Sequence, residues 1–351
     1  MDQQDAALIE AAPQSEVSAG LFKRVAGYLL AAACLAWVFY DVQPARVAAS
    51  FAAINWWWVA LAVACDIASY VCQAWRWRLL LRPAGDVSLP LAIQAIYAGL
   101  FANEVLPMRL GEMVRAYLAS RWAGVELAAI LPSMIAERLL DGIWLALAIA
   151  LTSLFIKLPK EIIEAGYVFA ALSLMLLAGF IYVLRKKQNE DSRPHGKARL
   201  KWKPLRLVVT FIAQQSRGLR SIGASRQLYI ALVATFFYLA LQAVSLWLVM
   251  VAFGLRLSLF IGAAVFLIVH LGTAIPNAPA NVGSYQFFCV VGLTLFGIEK
   301  SQAAAFSVAV FVLLTAPLWA IGFFALSRSG STLYQIKREM GRLITGRASY
   351  G

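Results

Sequence analysis

Apolar runs of about twenty residues recur from one end of this chain to the other, and they limit the possible fold more than any other feature. The hydrocarbon core of a bilayer is about 30 Å thick and takes roughly 20 apolar residues of helix to cross. Runs of that kind fall at residues 21–40, 54–75, 127–156, 162–184, 228–253 and 303–326. Two further apolar segments, 89–106 and 257–275, run into prolines at Pro107 and Pro276. Unpaired backbone groups are costly in hydrocarbon, so segments that cross it are helices or closed barrels. The expected fold class is an all-α polytopic membrane protein, with about six full transmembrane helices plus two re-entrant hairpins. Composition agrees: 62% of the 351 residues are hydrophobic and 14% charged, against about a quarter charged in soluble domains.

The net charge of +13 gathers between the apolar runs and at the C-terminus. That distribution points to membrane orientation and to anionic lipid head groups, not to nucleic acid. Residues 1–20 read as a disordered polar tail, 21–327 as the membrane domain and 328–351 as a basic cytoplasmic tail. The chain opens with Asp2 and Asp5 in place of a basic stretch, so the first run reads as a retained anchor rather than a cleaved signal. Cys34, Cys65, Cys72 and Cys289 lie in apolar segments without C-x-x-C spacing and read as buried free thiols. His195 and His270 are far apart, and neither a metal nor a cofactor is expected.

Loop charge assigns sides. Lys23-Arg24 puts the N-terminus in the cytoplasm. Trp75-Arg76-Trp77-Arg78 reads as an aromatic and basic interfacial anchor closing the second span on that same side. The loop 185–226 is strongly basic and also cytoplasmic, and its part 204–225 reads as an interfacial amphipathic helix. Three apolar segments lie between those two loops, so one of them must enter and leave on one side. Segment 89–106, broken at Pro107, is the natural hairpin. The same parity in the second half makes 257–297 a hairpin from the outside, broken at 276–283. The halves, about 21–156 and 162–327, then form an inverted repeat with broken segments at matching places, the sequence pointer to a transport site at their interface.

Three constellations carry chemistry. The first is Asn103, Glu104, Pro107, Arg109, Gly111, Glu112 and Arg115. Pro107 ends a helix, Gly111 allows close approach, and Arg109 offers a planar fork for phosphate. Glu112, three residues from both Arg109 and Arg115, is spaced to hold either guanidinium. The second is Glu137, Arg138 and Asp141 inside an apolar helix, where charge is costly and usually paired. It fits a functional site and a helix-locking ion-pair network equally. The third is the break at Pro276, Pro279 and Gly283, with Asn277, Asn281 and Gln286 as neutral hydrogen-bonding groups. Helix N-termini exposed there favour anions. Asp66, alone in the second span, is a candidate for proton or cation coupling, or a partner for Arg109 or Arg138. Nucleotide-binding and hydrolase signatures are missing from the sequence, so the expectation is transport without catalysis.

At these motifs the chain resembles a known family. Leu106-Pro107-Met108-Arg109-Leu110-Gly111-Glu112-Met113-Val114-Arg115 is similar to its L-P-x-R-x-G-E-x-x-R signature, Glu137-Arg138-Leu139-Leu140-Asp141 to its E-R-x-x-D element, and Pro276 to Gly283 to its P-x-x-P-x-x-x-G element. The family is the flippase-like membrane domain of lysylphosphatidylglycerol synthases, with stand-alone members of this length. The resemblance implies a bacterial or archaeal inner-membrane protein that moves a phospholipid or lipid-linked group between leaflets, with both termini cytoplasmic. It implies no lysyl transfer, because the soluble aminoacyl-transfer domain is missing. Ala280 and Gln286 stand where family members often carry Gly and Glu. The rival expectations are a non-catalytic membrane partner of a separate glycosyltransferase or lipid-modifying enzyme, and, less favoured, an intramembrane enzyme acting on a lipid phosphate.

Overall fold

The computed structural model describes residues 14–52, 54–106, 110–156, 226–274, 279–330 and 335, with scattered helical positions between 160 and 178. Every regular element among them is helical: α1 (Gln14–Phe39), α2 (Pro44–Ala52), α3 (Trp56–Leu81), α4 (Leu89–Val105), α5 (Gly111–Ala123), α6 (Leu127–Phe155), α7 (Arg226–Ala252), α8 (Leu259–Gly272), a 3₁₀ turn (Pro279–Asn281), α9 (Ser284–Leu295) and α10 (Lys300–Ser327). Helices α3, α6, α7 and α10 are long and apolar enough to cross a bilayer. The apolar part of α1, Val25–Phe39, is shorter. Most of the expected span 162–184, and all of 185–225, lie outside the described residues.

Two boundaries differ from the sequence expectation. Helix α1 begins at Gln14, so the last third of the expected disordered tail is helical. Helix α3 runs on to Leu81, past the expected end at Trp75. The run Trp75-Arg76-Trp77-Arg78 is therefore not an interfacial anchor as a whole. Trp75 faces out at 40% exposure, while Arg76 and Trp77 are fully buried. The rotation of the helix, not the charge of the tetrapeptide, decides which side chains meet the surroundings. Helix α2, with Pro44 at its start, is an element the apolar pattern did not signal; it packs on α10.

Helices α4 and α5 form a short antiparallel hairpin, and α8 and α9 form another. In the first, Gly99 and Gly111 bring the two backbones so close that a Cβ on Gly111 would overlap the Gly99 carbonyl oxygen and the Asn103 side chain. In the second, Gly272 lies against Phe288, and Gly292 against Val265 and Ile268. At 1.5 Å per residue, arms of 17, 13, 14 and 12 residues measure about 18–26 Å, less than the ~30 Å core.

Packing follows a matched scheme. Helices α3 and α7 pair at the centre. Each hairpin leans on the long helix that precedes it, α4 on α3 and α8 on α7. Each also leans on the long helix that follows the other hairpin, α4 on α10 and α8 on α6. The outer faces are apolar: Leu154, Phe155, Tyr229, Phe237, Phe323 and Phe324 are all more than half exposed. Exposed apolar surface on that scale is a liability in water and a fitted surface in lipid.

Candidate functional site

The tips of the two hairpins meet. Helix α4 packs against the 3₁₀ turn between α8 and α9, and a polar cavity of about 300 Å³ opens beneath them. All the helices from α3 to α10 line it. Asp66, Tyr70 and Gln73 come from α3, Asn103 and Glu104 from the end of α4, and Glu112 from α5. Arg138 comes from α6, Tyr238 and Gln242 from α7, His270 from α8, Asn281 from the 3₁₀ turn, Tyr285 from α9 and Thr315 from α10. The spacing 66, 70, 73 is one face of a helix, which is why a single turn-to-turn stripe of α3 supplies three polar groups.

Two of these groups are poorly matched to a closed protein core. Asp66 is 7% exposed, and among the described residues no cation pairs with it. Gln73 is 8% exposed and its Oε1 has no hydrogen-bond partner. Buried polar atoms are usually satisfied, and the Gln73 oxygen, on a residue that lines the cavity, is an exception. Trp319 donates from Nε1 to Glu104 Oε2 (3.3 Å).

From one wall of the cavity, six alternating charges run into the bundle. Glu112 accepts from Arg138 in a short ion pair, and Arg138 Nη1 lies 3.7 Å from Asp141 Oδ2. Arg76 then bridges both acids of α6. It donates from Nη1 to Asp141 Oδ1 and, at 2.9 Å, from Nη2 to Glu137 Oε1. Arg115 closes the series, donating from Nη2 to Glu137 Oε2 at 2.5 Å. Thr235 Oγ1 accepts a further bond from Arg76 (3.2 Å). Tyr238 lies 5.0 Å from the Arg76 guanidinium and Trp77 4.4 Å from that of Arg115. The Trp77 ring is itself fixed by donating to Ser133 (3.1 Å). The cavity end of the chain is accessible, with Arg138 and Glu112 side chains 54% and 36% exposed; the inner end, Arg76 and Glu137, is buried.

The sequence expectations divide. Glu137, Arg138 and Asp141 do pair, within their helix and beyond it. Glu112 is bound to Arg138 of another helix, not to Arg115 three residues on; both arginines find their acid across the α5–α6 contact, where side chains point at one another. Arg115 is 4% exposed and bound to Glu137. Asn103 lines the cavity, and its Oδ1 also accepts from the Gly111 N–H at 2.7 Å, which caps α5. Gln286 does not line the cavity: it is 4% exposed and accepts from the Gly283 N–H (2.7 Å), capping α9. Gly283 has φ of 87° and packs against the Ala31 backbone of α1. Ala280 and Asn281 are also left-handed, at φ 58° and 52°. Pro107, Arg109, Pro276 and Asn277 lie outside the described residues, and Pro279 opens the 3₁₀ turn. Arg76, Gln73 and Tyr238 were missed. The signal for Arg76 was its place three residues after Gln73, in the three-and-four spacing 66, 69, 73, 76 of the residues that α3 buries. The four cysteines are free.

These observations define a multi-pass helical membrane protein whose two broken hairpins close on one polar cavity. The chain belongs to the family of the lysylphosphatidylglycerol synthase TM region, whose model matches residues 24–322. Among curated relatives, a UPF0104 membrane protein of Methanocaldococcus jannaschii is 24% identical over 68% of this chain and 94% of its own length. Two UPF0104 membrane proteins of Methanothermobacter thermautotrophicus are 21% and 23% identical. They match 79% and 74% of this chain, and 84% and 81% of their own lengths. No solved structure matches the chain.

Proposed function

We propose that this chain is a lipid translocase of a bacterial or archaeal plasma membrane, carrying a head group through the cavity between its hairpins while the lipid tails stay in hydrocarbon. The observation that carries this reading is the convergence of both hairpins on one polar cavity. Irregular backbone at membrane depth is tolerated where it lines a cavity, and paired broken helices at matching places in two halves are the usual frame of a transport site.

In this reading the hairpins are re-entrant from opposite faces, the halves form an inverted repeat, and both termini are cytoplasmic. Arg138, its guanidinium half exposed and steadied by Glu112, meets the phosphate of an anionic head group, with Arg109 at the cytoplasmic entry. Asn103 and Asn281 offer neutral hydrogen bonds on the way across. Asp66, with which no cation pairs among the described residues, is the coupling group: it takes a proton or cation as the cargo passes. The chain itself makes and breaks no covalent bond.

The test is a leaflet-resolved assay of labelled anionic phospholipid in proteoliposomes. Arg138→Gln and Asp66→Asn are each expected to slow movement at least tenfold while the protein remains folded in detergent. Wild-type rates in both variants would overturn the reading. No movement by wild type alone, with an enzyme co-purifying, would favour the partner-subunit role. A cytoplasm-only reporter fused after Arg121 tests the orientation, and a signal from outside would reject it.

A further inference from the structure

Beside the polar cavity lies a second cleft, of about 280 Å³, walled almost wholly by hydrocarbon. It runs between α6, α7 and α8. Small side chains, Ala148, Ala240, Ala243 and Ala263, make it concave. Leu147 and Leu151, 51% and 54% exposed, stand on its rim. Aromatic pairs close its ends: Trp144 against Phe236 at 5.0 Å, and Phe155 stacked on Phe260 at 4.3 Å. One residue, Phe266, lines both this cleft and the polar cavity.

We infer that the cleft holds one hydrocarbon chain of a two-chain membrane lipid, and that Phe266 is the partition between the chain's site and the head group's. Size supports that occupant. From Trp144 to Thr152 the cleft follows α6 for about 12 Å at 1.5 Å per residue. That is close to the depth of one leaflet, half of the ~30 Å core. An extended alkyl chain gains carbon contacts there on three sides, from α6, α7 and α8, instead of the one that a flat lipid-facing helix offers. The chemistry on either side of Phe266 matches an amphiphile: carboxylates, amides and a guanidinium on one face, hydrocarbon on the other. The head-group half of this assignment rests on the translocase reading, whereas the chain site stands on the cleft alone.

The experiment is equilibrium photolabelling of the full chain in liposomes containing a phospholipid with a diazirine midway along one acyl chain, followed by peptide mapping. Wild type is expected to carry label on cleft residues of α6, α7 and α8 at least fivefold above the exposed Phe323 and Phe324 of α10. Ala243→Trp, which fills the floor, abolishes that enrichment and leaves the α10 labelling as it was. Ala240→Leu, a milder filling, halves it and guards against misfolding of the larger variant. Even labelling over all outward faces, enrichment that survives both substitutions, or cross-links from Leu151 to a second copy of the chain would each overturn the inference. Cleft labelling in a protein that moves no lipid would leave this site standing and refute the translocase reading instead.

Discussion

The hairpin α4–α5 and the hairpin α8–α9 occupy matching places, yet charge fixes the first and backbone conformation fixes the second. At the first tip, the arm after the break carries Glu112 and Arg115, which are tied across to α6 and, through Glu137 and Asp141, to Arg76 of α3. At the second tip, residues 280, 281 and 283 are left-handed, and Gln286 caps the helix that follows. The difference teaches that one architecture can be pinned in two currencies, and that only the first is easily loosened by an ionic ligand. An anion that reaches Arg138 competes with Glu112; nothing equivalent is available at Gln286, whose bond goes to its own backbone.

Substitutions can break that contrast or sharpen it. The largest effect is expected from Arg76→Leu, which takes the buried bridge from between Glu137 and Asp141 and leaves them only Arg115 and the more distant Arg138. Breaking a buried pair by removing one partner costs about 3–5 kcal/mol, so thermal unfolding in detergent should fall steeply. Arg76→Lys should rescue little, because a single ammonium lacks the fork that reaches two carboxylates and a hydroxyl. Next is Gly111→Ala, which pushes α4 and α5 apart where their backbones touch. Overpacking of this kind costs about 1–3 kcal/mol, and only the first hairpin should gain protease sensitivity. Gln286→Ala removes the cap at the second tip and should cost about 1 kcal/mol, measured the same way, with no change at the first. The smallest effect runs the other way. Ala280→Gly relieves a left-handed alanine, a strain of roughly 1–2 kcal/mol that the added freedom of the unfolded glycine partly offsets. A modest rise in melting temperature is expected, and a fall would mean the turn is not strained. If Gln286→Ala hurt as much as Arg76→Leu, the contrast between the tips would be gone.

The long apolar helices α3, α6, α7 and α10, and the places where α4 and α8 stop, were legible in the sequence because they are local. A run of apolar residues, a proline and a glycine report on the segment that contains them. The pairing of charges was legible only where both partners lie on one helix, as with Arg138 and Asp141. Glu112 found its partner 26 residues away and Arg76 found its two more than 60 residues away, and no spacing rule spans a helix–helix contact. Arg76 was misread for a specific reason: next to Trp75 and Arg78 it matches an interfacial girdle, and only the phase of α3 turns it inward. Gln286 was misread because a polar side chain after a break can face a cavity or cap its own helix, and the sequence is the same for both. Ala280 was flagged as a departure from glycine, and its positive φ explains why glycine suits that position.

The six-membered chain of charges contains three guanidinium groups and three carboxylates, so its sum is zero. Electrical work on a moving group scales with its charge, at about 2.3 kcal/mol per unit charge per 100 mV. If the cluster shifts as one body during a cycle, the membrane potential does no net work on it. Among the described acids that line the cavity, Asp66 and Glu104 lie outside the cluster, so voltage dependence then falls to them or to the cargo, and a rate that stays voltage-sensitive in Asp66→Asn/Glu104→Gln with an uncharged lipid would point to a cluster that comes apart.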